Sequence, residues 1–315
     1  MKGPGGPGRF ADSVARVERA QSQAMLRKAH ECMSQTVFTN GVTMESFRDL
    51  YGDAIEKDAA NVAAHREAFE REVQALAPQE RTEHREAKLA ADVFEGVVYS
   101  EVNQSEWLGK GVVAVRTTPY DDIINGVDVV IELDDPMGGR RHLALAVDVS
   151  FGEWAVPKKF TRILNEIDRG EAAQVKYFES ASGKERLRNI PRTVVGIERK
   201  VVEELASLWL EKDAHKQKSD TLRSHPIQRM ILAQVVQQLD VFEQYALRSP
   251  NPTQGQRDIA SSCKKARLVL EKVLDEKESL PLDMFRGDRV CEQIAACLDR
   301  AEAKIAKSKP ERTAS

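Results

Sequence analysis

The spacing of hydrophobic positions changes along the chain, and each change marks a new kind of element. Residues 11–86 carry scattered apolar positions in Ala-, Glu-, Arg- and Gln-rich stretches such as "ADSVARVERAQSQAMLRKAHECMS" and "NVAAHREAFEREVQAL". With no strand-like alternation, they predict helices. Val37 to Val42, around "TNG", predicts a break between them. Residues 84–101 predict an amphipathic helix, because Leu89, Ala90, Val93, Phe94, Val97 and Val98 fall on one face at 100° per residue. The β-branched run 112–118 predicts a strand. "PYDDIING" (119–126) predicts a turn, 127–133 a strand, 134–141 a hairpin loop and 142–151 a further strand. Residues 156–170 predict a helix with Pro157 in its first turn and Gly170 at its end. Residues 173–180 and 192–198 read as strands, and 201–212 opens a long helical remainder.

This order predicts an α/β (α+β) chain. A central mixed four- to five-stranded sheet of αβββαβ order would be flanked by helices and carry helical N- and C-terminal extensions. The expected divisions are a Gly/Pro-rich disordered tail (1–10), a helical extension (11–83), a core (84–200), a helical C-terminal region (201–303) and a basic tail (304–315).

Composition narrows the function classes. With 31% charged and 41% hydrophobic residues, the 315-residue chain has an ordinary globular mix. Its net charge of -3 does not by itself announce a polyanionic partner. The four cysteines form no CxxC pair, which points away from a disulfide framework or zinc site. The N-terminus lacks the apolar stretch of a signal peptide, and no apolar run is long enough for a membrane span. A cytoplasmic location is the expectation. No GxSxG, Walker-type or GxGxxG motif occurs.

Two carboxylates stand out because each sits in an apolar strand-like run, where burial of a charge is costly. Asp128 opens "VDVVIEL" and Asp148 lies late in "HLALAVDVSF". If the two runs pair as an antiparallel hairpin, the acids become neighbours although 20 positions apart. Adjacent carboxylates repel unless a proton or cation lies between them, and a hard divalent cation takes such ligands.

On these residues and this element order, residues 84–200 resemble the PD-(D/E)xK, restriction-endonuclease-like nuclease superfamily. The resemblance implies a metal-dependent nuclease or nuclease-like DNA-processing protein that hydrolyses phosphodiester bonds. Asp128 and Asp148 would hold Mg²⁺ or Mn²⁺, and the partner would be nucleic acid, DNA first. The motif lysine is replaced by Ser150, so Lys159, beside the apolar face of the following helix, is the first substitute and Lys176, in "QVKYF", the second. The family's first-helix glutamate corresponds to Glu95 by its place in the segment, whereas helical phase favours Glu101 on the apolar face. Asp121 and Asp122 could supply outer contacts.

Charge distribution agrees with a phosphate ligand. Residues 117–153 hold eight acids against Arg140 and Arg141, and residues 154–200 hold eleven bases against six acids. The alternative is a catalytically inactive nuclease-fold protein that serves as a nucleic-acid-binding or protein-assembly module. A third reading is a helical scaffold whose sheet is only packing. The helical flanks could clamp DNA, form a homodimer or pack on the sheet.

Overall fold

The computed structural model describes residues 7–39, 41–134, 140–148, 155–181, 183–215 and 220–308. Helices come first: α1 (Pro7–Thr36), α2 (Arg48–Tyr51), α3 (Ala54–Ala75) and α4 (Pro78–Ser105). Then follow β1 (Val113–Arg116), a π-helical turn (Asp121–Asn125), β2 (Val129–Asp134), β3 (Arg140–Asp148), α5 (Ala155–Arg169), β4 (Ala173–Ser180), β5 (Gly183–Ile190) and β6 (Arg192–Gly196). The chain closes with α6 (Arg199–His215), α7 (Asp220–Arg223), α8 (Ile227–Ala246), α9 (Gln254–Glu276) and α10 (Arg289–Ser308). No helix is long and apolar enough to cross a membrane among the described residues.

β1, β2 and β3 form an antiparallel meander, and β6 joins β3 in parallel, giving the order β1-β2-β3-β6. β4 pairs only with β5, as a separate antiparallel ribbon. Alternation sorts the two sheet faces. Val129, Ile131 and Leu133 of β2 enter the main core and Val130 a second core beneath Val175, Phe178, Leu187 and Ile190 of the ribbon, which Val127, from the turn before β2, also joins.

The sheet stops at β6 because α8 occupies its open edge. Gln238 Oε1 accepts from Val194 N at 2.8 Å, and its Nε2 donates to Val194 O at 2.7 Å. Gln234 does the same to Gly196, at 3.1 and 3.0 Å. Two amides one helical turn apart therefore satisfy alternate backbone positions, as a neighbouring strand would. Gln238→Leu leaves a buried N–H and C=O unpaired, and a loss of roughly 2–4 kcal/mol is expected in chemical denaturation.

The expected α/β architecture is corrected by these findings. Helices make up most of the described residues, and strands form only a small share of them, divided between two small sheets. The physical reason is that the helical flanks share the sheet's core. Leu26 and Met33 of α1, Leu205 of α6, Val235 and Leu239 of α8, Ile259 of α9 and Ile294 of α10 all pack into the cluster that buries Val129 and Ile131. The run 173–180 forms a strand but not a member of the main sheet. The strand 183–190, mostly exposed and charged, carries no hydrophobic alternation to announce it. Residues 7–10 of the expected tail already belong to α1, and 304–308 belong to α10. The rest of both tails, most of the 134–141 loop and Ser150 lie outside the described residues.

Candidate active site

Helix α4 has two working faces. Ala90, Val93, Phe94, Val97 and Val102 point into the core. His84, Ala87, Lys88, Ala91, Asp92 and Glu95 recur at three- and four-residue steps on another side and form one wall of a cleft of about 380 Å³. Phe69 from α3, Asp122 from the π-helical turn, Asp128 from the head of β2 and Lys159 from α5 complete its lining.

The turn before β2 aims its two acids in different directions. Asp121 is fully buried. Its carboxylate accepts from Lys176 N (2.7 Å), Tyr177 N (3.0 Å), Asn125 Nδ2 (2.6 Å) and Thr118 Oγ1 (3.1 Å). It therefore fastens the β4–β5 ribbon to the turn. Asp122 faces the cleft, hydrogen-bonded to Asp128. Gly126, at φ 66°, closes the turn in the left-handed region, and a Cβ there would stand 2.5 Å from Arg162 Nη1. Arg162 and Arg192 both donate to the Asn125 carbonyl, at 2.8 and 2.7 Å.

Asp128 is positioned by backbone pairing, with Thr117 N donating to its carbonyl at 3.2 Å. One step beyond the Val129–Leu145 pair, the register sets Asp128 opposite Ala146, two positions from Asp148. Asp148 occupies the last paired position of β3, opposite Gly196, and its side chain lies outside the described part of the molecule. Diagonal backbone positions of this kind are about 7–8 Å apart.

Four carboxylates, Asp92, Glu95, Asp122 and Asp128, thus line one cleft. Burial first, then the Asp128 charge, pushes the Glu95 carboxyl up to about 8, against the opposing pull of Arg116. Arg116 Nε donates to Glu95 Oε1 at 2.8 Å while its guanidinium stacks 4.1 Å over Phe38. Asp122, exposed at the cleft mouth, is pushed up to about 7 by partial desolvation among its neighbours and by Asp128 beside it. Lys88 bridges to Asp92 at 3.1 Å.

Of the residues singled out in the sequence, Glu95, Asp128 and Lys159 line this cleft together, and Asp122 joins them. Glu101 and Lys176 stand elsewhere. Glu101 is fully buried on the core side of α4, where Ser105 Oγ donates to it at 2.6 Å. Lys176 pairs with Asp58 and is ringed by Tyr51, Tyr120 and Tyr177, at 5.0, 5.4 and 5.3 Å from their centroids. Sequence reasoning missed His84, Lys88 and Phe69, although the first two sit on the same α4 stripe as Glu95.

No protein-family model, curated protein or solved structure matches the chain. The cleft must be read from its own chemistry. Among the described residues no group of three or more His, Cys, Asp or Glu side chains stands as a metal-holding set. The donor chemistry nevertheless suits a hard cation. Asp122 and Asp128 face the same cleft, and carboxylate oxygens are the donors that a hard divalent ion takes.

The raised carboxyls have a consequence for stability. Their folded values lie above the unfolded carboxylate range near 4, so the folded protein binds more protons than the unfolded one between about pH 4 and 8. Their contribution is present at low pH and is lost as pH rises through about 7 and 8. In EDTA, Glu95→Gln is expected to flatten the fall in melting temperature between about pH 5 and 8 relative to wild type. Parallel curves for the two proteins would contradict the protonated state of Glu95.

Proposed function

We propose that the protein is a metal-dependent nuclease or nuclease-like DNA-processing protein of the PD-(D/E)xK kind, working in the α4 cleft. The observation that carries this reading is the meeting of Glu95, Asp128 and Lys159 around one opening. They come from the helix before β1, the head of β2 and the helix after β3, the positions that the motif resemblance assigns to an assisting glutamate, a metal ligand and a substitute lysine.

Asp128, with Asp148 from the end of β3, would hold Mg²⁺ or Mn²⁺, with Asp122 as a further donor. When bound, such an ion supplies charge stabilisation at the scissile phosphate and lowers the pKa of water. The protein's own groups supply the remainder. Glu95, anchored by Arg116, stands ready to exchange a proton near neutral pH. The Lys159 ammonium, carried on α5, would orient the attacking water and offset phosphate charge. The four cysteines are all free thiols, which suits the cytoplasmic setting proposed with this activity.

The test is hydrolysis of single- and double-stranded DNA by the full chain with Mg²⁺, Mn²⁺ or EDTA, with Asp128→Asn and Asp148→Ala beside wild type. Metal-dependent cleavage that both variants lose supports the proposal. Cleavage that both retain refutes it. Binding of DNA without cleavage, equal in EDTA, favours the non-catalytic nucleic-acid-binding alternative.

A further inference from the structure

The acid end occupies only part of the cleft. His84 and Glu95 are eleven residues apart on α4, a span of about 16 Å at 1.5 Å per residue. At the far end Phe69 of α3 meets His84 of α4, with ring centroids 5.3 Å apart and planes at 53°. Phe69 is 38% exposed, and it is the one aromatic among the large hydrophobics that the described residues leave exposed. Burying a phenylalanine ordinarily gains about 1.5–3 kcal/mol, and among the described side chains the other helical phenylalanines are buried: Phe94, Phe160 and Phe242 lie in the core, as does Phe285 of a short helical turn before α10. Phe69 is instead held open at the rim of a cleft whose other end is carboxylate-lined.

The dimensions restrict what could lie there. A volume of about 380 Å³ is that of a small-molecule pocket. A length of about 16 Å covers no more than about five stacked nucleotides at 3.4 Å each. A cleft of this volume admits one or two bases of an unpaired strand, whereas the paired bases of a duplex have no free face to offer it. Lys88, between the two ends, and Lys159, at the acid end, are the cations of the lining, and a phosphate backbone would take the place of Asp92 on Lys88. The exposed aromatic face at the other end is what an unpaired base stacks on.

We infer that the α4 cleft binds a single strand of nucleic acid, with an unpaired base stacked on the Phe69–His84 rim and the backbone running past Lys88 to the carboxylate end. This rests on the nuclease reading for the role of the carboxylate end, but the stacking subsite is a separate claim about binding. Helix α3 thereby gains a role of its own, since it delivers the stacking ring to a wall built by α4. Arg85 of α4 and Glu70 of α3, 3.9 Å apart, and Arg81, which donates to Gln74 O at 2.7 Å, tie the two helices together beside that ring.

The experiment uses the full chain and a short oligothymidylate, with a blunt duplex of the same length for comparison. Binding is measured by fluorescence anisotropy in Ca²⁺ and again in EDTA. Phe69→Ala is expected to weaken oligothymidylate binding roughly tenfold and to leave duplex binding unchanged. Phe69→Trp is expected to bind like wild type, and its emission, corrected for the three native tryptophans, to be quenched by the single strand and not by the duplex. Circular dichroism checks that both variants fold.

Unquenched emission from Phe69→Trp, or equal affinity of Phe69→Ala and wild type for the single strand, overturns the inference. Cleavage lost in Asp128→Asn but indifferent to Phe69 would leave the nuclease reading standing and sink the stacking subsite. Quenching without any cleavage would keep the subsite and sink hydrolysis.

Discussion

Asp128→Asn is expected to lower metal-dependent cleavage by at least ~100-fold while raising the melting temperature in EDTA. The two effects share one cause. The Asp128 charge is a principal reason, after burial, that Glu95 and Asp122 hold their protons. Neutralising it removes repulsion from a half-buried acidic cluster, which stabilises the fold. The same change removes the carboxylate best placed by backbone pairing to hold a cation. On the nuclease proposal, a site that is costly without its ion and active with it trades stability for activity. Asparagine keeps the shape and the register with Thr117, so misfolding would not account for lost cleavage. A variant that is both less stable and fully active would contradict both halves of the argument. In wild type, added Mn²⁺ should raise the melting temperature by mass action, and Asp128→Asn should blunt that rise.

The meander was legible because its chemistry is local. β-Branched runs bounded by "PYDDIING" and the Gly-Gly loop, then a helix opened near Pro157, placed β2, β3 and α5 within a few residues of their observed limits. The helical bulk was also legible as helix. What the sequence did not reveal is that its aliphatic stripes close one common core with the sheet, which is a tertiary fact. Gln234 and Gln238 carried a usable signal, since two amides one turn apart in the apolar run "LAQVVQQLDVF" need buried partners. Nothing local said that those partners were a strand edge. Lys176 shows the opposite failure. Its strand position suggested the site, but Asp58, 118 residues earlier, captures its ammonium. Helical phase put Glu101 on the apolar face of α4 and Glu95 off it, and the structure places Glu101 in the core and Glu95 at the cleft. A cleft residue lies off the apolar face, whereas the apolar face of α4 is filled by the core.

The largest stability effect is expected at Asp121, beside the cleft and not in it. Strand β4 is irregular between Val175 and Phe178, and the consecutive N–H groups of Lys176 and Tyr177 both donate to this one carboxylate. A regular strand would send successive N–H groups to opposite edges. The irregularity therefore depends on an acceptor with two oxygens. Asp121→Ala strands both donors together with Thr118 and Asn125, at about 1–3 kcal/mol for each buried unpaired group. A total loss of roughly 3–5 kcal/mol is expected in chemical denaturation, a large share of a typical fold's stability. Asp121→Asn should recover only part of it, because its NH₂ would face a backbone donor. The neighbouring Asp122→Ala breaks no backbone contact and relieves the Asp128 repulsion, so it should leave stability unchanged or higher. It should nevertheless weaken Mn²⁺ binding, measured by titration calorimetry. Two adjacent acids in one turn would then separate cleanly, one holding the ribbon and the other serving the cleft. Equal destabilisation by both alanine variants would show that the turn works as a single structural unit and remove Asp122 from the site.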